Sequence, residues 1–384
     1  MSKRLYYVAA VLFLLMSCKD GKQIAKESGT AVCFGELGGG VISDYVDIVR
    51  FLPLETTDTS LVGNIDQLEV VDDRIVILDS YGSNSVSAFS ATDGRLLCRL
   101  SGTGNGPGEF LSPHAFFVEH SDSSLYVLDR LLSKLIRYRL SDFSYREEIP
   151  LPANSPLAFA VSSGGSRFFY YYPLRSEDLF AGRQLVEADR EGKVVSSWYP
   201  GPPSGRILHG NPSAFYTCEG TQCVVPYFSD RVYEWRGDSL HVRYRLEWGN
   251  SSFPDESVFH ADDSSVIMKK IGSENYIRFL YVYENAAALA VKYYIRKDLY
   301  LSAWDKHTGR CFNIKADAVT DDLYIGGCFP LPVGVSESDG LVGALLPQKM
   351  DKAKILNKDL KSVYPNVRDD DNPVLVFYTL KCRN

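Results

Sequence analysis

The segment from Arg74 to Phe110 is the feature that most constrains how this chain can fold. It contains three short runs rich in β-branched and other apolar residues, a composition typical of β-strands. The runs span 74–79, 85–89 and 95–100, and a tight turn precedes the last of them. The glycine-rich stretch 102–110 then predicts a loop. We interpret the segment as one repeat unit followed by its connector.

The same pattern returns downstream. Asp79 and Asp129 end equivalent apolar runs 50 residues apart, and the turn residues Gly94 and Asp142 lie 48 residues apart. Units of four strands that repeat every 45–50 residues or so are typical of β-propellers. Four less regular units follow, at 168–199, 214–246, 277–314 and 323–378, the last interrupted by a predicted helix at 348–363.

The two ends of the array complement each other. The last unit has only three predicted strands, and the N-terminal run Asp47–Leu52 has no neighbour of its own. Pairing this run with Val374–Tyr378 would satisfy both edges and close the ring. We therefore predict an all-β fold, a six-bladed β-propeller of four-stranded antiparallel blades closed by its N- and C-terminal strands. A five-bladed ring is the alternative.

The first residues predict that the protein is exported, and we do not expect them to belong to the folded domain. Lys3 and Arg4 precede an apolar run of 13 residues, which is too short to span a bilayer comfortably. Residues 1–17 are therefore a predicted signal peptide. The run ends in Leu-Met-Ser before Cys18, which resembles the lipobox of bacterial lipoproteins, although Met16 departs from its usual pattern. In such proteins the cysteine is acylated, so Cys18 is the predicted lipidation site.

The mature chain divides into two predicted parts. Residues 18–40 are polar and glycine-rich, which predicts a flexible tether, and residues 41–384 form the predicted propeller. The alternative at the N-terminus is an ordinary secretory signal in which Cys18 is incidental.

Four segments together carry a family resemblance. They are the lipobox at Cys18, the repeat 75–100, the connector 104–110 and the closing segment 370–377. With these segments the chain resembles the six-bladed β-propeller lipoproteins of glycan-foraging Gram-negative bacteria, in the neighbourhood of NHL-repeat and TolB-type propellers. The resemblance implies this fold and a lipid anchor in the outer membrane, on its periplasmic or cell-surface face. It implies no established activity.

The cysteines offer one candidate cross-link. Seven of the eight remain if Cys18 is acylated, and none has the Cys/His spacing of a zinc site. Cys218 and Cys223 flank a predicted turn at 220–221 that would place them opposite each other on neighbouring strands. We therefore predict a disulfide between them, with two free thiols as the alternative.

Three polar residues are candidates to bind a ligand in the axial funnel. His114 starts a predicted inner strand, where side chains of a propeller face the channel. Asp79 and Asp129 could act as paired carboxylates, but their recurrence at one repeat position favours hydrogen bonds to nearby loop amides. The connector 102–110 lacks the lysine and the following helix of a phosphate-binding loop. The aromatic runs 170–172 and 276–283 are candidates to stack on sugars.

The composition narrows the functional classes. A net charge of −7 without a basic run argues against a nucleic-acid partner. The chain has no Gly-x-Ser-x-Gly elbow and no paired-histidine motif, so we predict no catalytic residue, metal or cofactor. The expected function is a membrane-anchored module that binds a ligand or a surface protein, with glycans as one ligand class. The alternatives are a glycan lyase or hydrolase acting in the funnel, and a structural subunit of a surface complex.

Overall fold

The computed structural model describes residues 29–102, 104–154, 156–172, 180, 183–198, 214–260, 263–327 and 329–381. The predicted signal peptide and Cys18 lie outside these residues. Six antiparallel sheets form the blades of a propeller, and the first strands of neighbouring blades contact one another around the axis.

The strands follow the predicted repeats. The N-terminal strands are β1 (Thr30–Cys33), β2 (Gly38–Val41) and β3 (Val46–Pro53). Blade 1 contains β4 (Gln67–Val71), β5 (Arg74–Asp79), β6 (Ser85–Ser90) and β7 (Leu96–Leu100). Blade 2 contains β8 (Pro113–Glu119), β9 (Ser124–Asp129), β10 (Lys134–Arg139) and β11 (Tyr145–Ile149). Blade 3 contains β12 (Ala158–Val161), β13 (Arg167–Tyr171), β14 (Leu185–Asp189) and β15 (Val194–Trp198).

The second half of the ring is less regular. Blade 4 contains β16 (Phe215–Cys218), β17 (Thr221–Val224), β18 (Arg231–Arg236) and β19 (Ser239–Glu247). Blade 5 contains β20 (Ile277–Glu284), β21 (Ala288–Ile295), β22 (Asp298–Asp305) and β23 (Cys311–Thr320), preceded by helix α1 (Ser264–Ser273). Blade 6 contains β24 (Pro332–Ser336), β25 (Gly340–Leu345), β26 (Val374–Leu380) and β3, with helix α2 (Lys358–Val363) between β25 and β26.

Burial explains the composition of each strand position. The second strands β5 and β9 are buried along almost their whole length because a neighbouring blade covers each face. This double coverage accounts for their unbroken apolar runs. The fourth strands β7 and β11 lie at the rim and are largely exposed or half-buried, so they tolerate charged residues. The core is therefore a ring of apolar layers between blades.

The predicted ring closure is confirmed. Strand β3 pairs with β26 as the outermost strand of blade 6, and Leu52 lies opposite Leu375. Buried Asn372 strengthens the junction through three hydrogen bonds. Its Oδ1 accepts from the amide of Val62 at 2.8 Å, and its Nδ2 donates to the carbonyls of Glu55 at 2.6 Å and Ser60 at 2.8 Å.

The propeller begins earlier than predicted, because residues 30–40 of the expected tether at 18–40 form strands, whereas residues 18–28 lie outside the described residues. Strand β1 adds in parallel to β19 of blade 4, and β2 adds to β23 of blade 5. The physical reason is apolar burial: Val32 and Phe34 are buried, and the Phe34 ring lies 5.4 Å from that of Trp248. The residues from 30 onward are therefore part of the fold.

Two predictions for the irregular half were wrong. Residues 348–363 form two short 3-10 turns and α2 rather than one helix, and the strand predicted at 323–329 is replaced by β24. The polar insertion before blade 5 contains α1, whose Ile267 and Ile271 pack on Val258 and Phe259. No helix among the described residues is long and apolar enough to cross a membrane.

Candidate functional site

The first strands of the six blades enclose an axial cavity of about 930 Å³ at the end where these strands finish. Residues of every blade line it, because the turn after each first strand points to the same end of the channel. Five carboxylates are among the lining residues, and we call them the acidic mouth: Glu69, Glu119, Glu219, Glu284 and Glu337. Ligand pockets in proteins commonly have volumes of about 300–1,000 Å³.

Glu284 is the compensated member of the acidic mouth. Its buried carboxylate accepts hydrogen bonds from Arg243 at 2.7 Å, from Lys306 at 2.6 Å and from the hydroxyl of Tyr216 at 2.6 Å. Burial opposes ionisation of Glu284, but the bonds from Arg243 and Lys306 outweigh it and hold the pKa below its usual value. This carboxylate therefore joins blades 4 and 5 rather than awaiting a ligand.

The surroundings of Glu337 differ from those of Glu284. Burial and then the charge of Glu219 raise the pKa of Glu337, whereas Lys306 acts in the opposite direction. Neither Glu219 nor Glu337 forms an ion pair within 4.0 Å among the described residues. A cationic or hydrogen-bond-donating ligand would therefore find acceptors at this place.

His120 lies beside the same mouth, directly after β8. Its Nε2 is 3.4 Å from Oε1 of Glu69, which connects blade 2 to blade 1. The hydrogen bond with Glu69 raises the pKa of His120, and the charges of Asp72 and Glu119 add to this effect against the influence of burial. The imidazole is therefore held in its protonated form to higher pH than an isolated histidine.

An aromatic wall completes the cavity between blades 3 and 4. The ring of Trp235 lies 4.5 Å from that of Phe169 and 6.1 Å from that of Phe215. All three residues line the cavity. The Nε1 of Trp235 is buried and has no hydrogen-bond partner in the described part of the chain. A buried indole normally has such a partner, so this donor is unsatisfied in a residue that lines the cavity.

The predicted aspartates lie elsewhere. Asp79 accepts hydrogen bonds from the amides of Gly63 and Gly82, both at 2.7 Å, and Asp129 accepts from the amide of Leu131 at 2.8 Å. Both carboxylates are fully buried, and neither lines the axial cavity. Their contacts hold the connectors and turns of blades 1 and 2 in place, as their recurrence in the repeat suggested.

His114 is at the opposite end of β8 from His120. It is the extra residue of a β-bulge, since Pro113 pairs with Asp129 and Ala115 already pairs with Leu128. Bulges re-aim side chains. The imidazole does not line the acidic mouth, so the structure does not bring His114 together with the carboxylates there.

The predicted opposition of Cys218 and Cys223 was wrong. The turn is Glu219–Gly220, both with positive φ (48° and 72°), so Cys218 pairs with Thr221 and Cys223 pairs with Tyr216. This two-residue turn with positive φ at both positions is the usual hairpin geometry, and it shifts the register away from the predicted one. Both cysteines are buried free thiols.

Apart from Val282 and Tyr283, which belong to the aromatic run 276–283, the sequence analysis did not single out the residues that line the cavity. His120, Glu219 and Glu337 each occur in a turn directly after a first strand. That shared position was the available signal, because these turns meet at one end of a propeller. Among the described residues, no group of three or more histidine, cysteine or acidic side chains is arranged to hold a metal.

Comparisons with known proteins agree with the fold. The profile of the DUF5128 family, described as a 6-bladed beta-propeller, matches residues 21–344. A crystal structure of a Bacteroides fragilis protein that is described as exported aligns with a TM-score of 0.80 at 19% identity, covering 92% of this chain and 100% of that one. A DUF4221 member from Bacteroides vulgatus aligns with a TM-score of 0.50 at 13% identity, covering 88% and 99%.

No curated protein has a sequence that matches this chain significantly. The two solved structures share its fold at low identity. The family profile covers well over half of the chain. The chain therefore belongs to the DUF5128 family of six-bladed β-propellers.

Proposed function

We propose that this protein is an exported, lipid-anchored binding protein of the outer membrane whose axial cavity takes a neutral or amino-bearing glycan. The anchor would be Cys18, at the end of the lipobox-like sequence. The neighbour from Bacteroides fragilis, which is described as exported, supports the first part of this proposal. Replacing Cys18 with alanine is expected to release the protein from membranes into the soluble fraction.

The proposed ligand class rests on one observation. The cavity combines an aromatic wall with two carboxylates, Glu219 and Glu337, that form no ion pair among the described residues. The faces of Phe169 and Trp235 can cover the apolar face of a sugar ring. Glu219 and Glu337 can accept hydrogen bonds from hydroxyl or ammonium groups. Negative charge in the same cavity disfavours uronates and sulfated sugars, because like charges opposed across an interface are repulsive.

The test uses soluble protein carrying Cys18→Ala on an array of neutral, amino-bearing and acidic glycans, followed by calorimetric titration of the best binder. Trp235→Phe removes the indole N–H and keeps an aromatic ring, and Glu337→Gln removes the charge and keeps the shape. Each variant is expected to weaken binding about tenfold, the loss of one or two hydrogen bonds. Glu191→Gln, on an exposed turn of blade 3, is the control and is expected to bind normally. Equal binding by all variants would contradict the proposal.

One observation favours a second candidate function, glycoside hydrolysis. The raised pKa of Glu337, close to a second carboxylate, suits a carboxylic acid that donates a proton to a glycosidic oxygen. The array distinguishes the two functions, since hydrolysis releases shortened products whereas binding leaves the glycan intact. Glu337→Gln is expected to abolish product release if this pair is catalytic.

A further inference from the structure

Three basic side chains towards the end of the channel opposite the acidic mouth form no ion pair with a carboxylate in the described part of the chain. The second strand of each blade runs antiparallel to the first and so ends where the first begins. His114, near the start of β8, therefore lies beside Arg130, directly after β9. We call the side chains of His114, Arg130 and Lys292 the basic mouth.

Arg130 is the central residue of the basic mouth. Its guanidinium is half-buried, its Nε is buried without a hydrogen-bond partner, and it forms no ion pair among the described residues. Burial lowers the pKa of Arg130, and the nearby phenol of Tyr81 acts in the opposite direction. The planar guanidinium of arginine can bind a carboxylate or phosphate through two parallel hydrogen bonds.

His114 adds a second unsatisfied group at the same place. Its Nε2 is buried and has no partner in the described part of the chain. Burial, and then the nearby charge of Arg130, lower the pKa of His114 to about 4. At neutral pH the imidazole is therefore uncharged and can donate one N–H. The β-bulge at this residue is the local feature that sets its direction.

Lys292 is the third basic group, and its amine reaches from blade 5 to the start of blade 6. Its Nζ donates to the carbonyl of Pro332 at 2.8 Å and lies 5.0 and 5.3 Å from the ring centres of Tyr281 and Tyr283. Burial lowers its pKa to about 8. No carboxylate lies within 4.0 Å of this amine among the described residues, so two aromatic rings and one carbonyl are its only compensation.

Tyr81 connects the two parts of this region. The side chain is 83% exposed in the turn after β5, and it influences the ionisation of both Arg130 and Tyr281. The carboxylate of Asp66 also acts on Tyr281 and already accepts the amide of Ser80 at 2.7 Å. It is therefore engaged by blade 1 and does not neutralise Arg130.

We infer that the basic mouth binds the oxyanion of a small ligand, a carboxylate or a phosphate, between Arg130 and His114. Uncompensated basic groups destabilise a fold, and a bound oxyanion would supply the missing charge and acceptors. The site is independent of the proposed glycan cavity, which lies at the other end of the channel and carries charge of the opposite sign.

The experiment measures the melting temperature and calorimetric binding of the soluble full-length protein with three probes. These are inorganic phosphate, galacturonate and galactose, each against chloride at equal ionic strength. Phosphate or galacturonate is expected to raise the melting temperature, and galactose, which lacks the carboxylate, is expected not to act through this site. Binding of galacturonate alone would identify a carboxylate ligand, and binding of phosphate alone would identify a phosphate ligand.

Arg130→Gln is the decisive variant. It should weaken oxyanion binding about tenfold or more, the loss of charge-assisted hydrogen bonds. It should leave the melting temperature without ligand unchanged or raised, because the side chain makes no hydrogen bond that folding needs. Arg95→Gln, which removes an exposed arginine from the turn before β7, controls for general charge and should bind like the parent. If neither anion binds, or if Arg130→Gln binds both as the parent does, the inference is wrong.

Discussion

The two ends of the axial channel show how one strand can serve two opposite environments. Strand β8 has His114 at its bulged start and His120 just beyond its end, six residues later. Burial and then the charge of Arg130 lower the pKa of His114. The hydrogen bond with Glu69 raises the pKa of His120. Burial and the charges on neighbouring elements, rather than the strand itself, therefore distinguish the two ends of the channel.

The ends also differ in how their charges are compensated. At the acidic mouth, buried Glu284 is matched by Arg243 and Lys306, which makes it part of the fold. At the basic mouth, Arg130 has no such match among the described residues. This contrast teaches that a charged residue in the channel is structural where its partner is present and available to a ligand where its partner is missing.

The largest expected effect tests this contrast by removing a charge at each end. Glu284→Gln leaves Arg243 and Lys306 partly unpaired in a buried site, so we expect unfolding to become easier by about 3 kcal/mol. Arg130→Gln is the matched change at the other end of the channel and should leave the free energy of unfolding unchanged. Denaturant unfolding measures the free energy of unfolding of both variants. Equal destabilisation would show that the two ends of the channel do not differ in how their charges are compensated.

A second prediction concerns the ring closure on which both mouths depend. Asn372→Ala removes three hydrogen bonds and leaves the carbonyls of Glu55 and Ser60 without these donors. We expect a loss of about 2–3 kcal/mol, in a single cooperative transition, because buried polar groups without partners are unfavourable. Thermal unfolding followed by two probes checks this. Noncoincident transitions would mean that the closing blade unfolds on its own.

Much of the fold could be predicted because its signals are local. The strands and turns of blades 1 and 2 follow directly from the runs and turn residues between 67 and 149. Closure followed from two unmatched edges. By contrast, β1 and β2 pair in parallel with β19 and β23, the edge strands of blades 4 and 5. These edges exist only after the two blades have assembled. No local pattern distinguishes such strands from a tether.

The candidate site was predicted less well for the same reason. Its residues come from six blades and are distributed over more than 250 positions, and only closure of the ring brings Glu69 and Glu337 to one cavity. His114 was correctly placed on an inner strand, but its bulge and its neighbour Arg130 gave no separate signal. The hairpin at Cys218 depended on which residue takes the first left-handed position, and that residue is Glu219.

A third, smaller effect is expected in the pH dependence of stability. The raised pKa of His120 means that its pair with Glu69 stabilises the fold at low pH and that this contribution is lost as pH rises through the folded pKa. The depressed pKa of His114 has the opposite sign, since stability is lost as pH falls from about 6.5 towards 4. Glu69→Gln should abolish only the first effect, and His114→Gln only the second, in melting curves recorded from pH 4 to 8.

The central claim, that one channel has two electrostatically opposite mouths, is tested most directly by NMR titration of the histidine Cε1 protons, assigned with His114→Gln and His120→Gln. The account predicts that His114 titrates near 4 and that His120 titrates above its ordinary value of 6.5. It further predicts that the pKa of His114 rises when inorganic phosphate binds beside Arg130. Two histidines that both titrate near 6.5, with or without phosphate, would contradict the account.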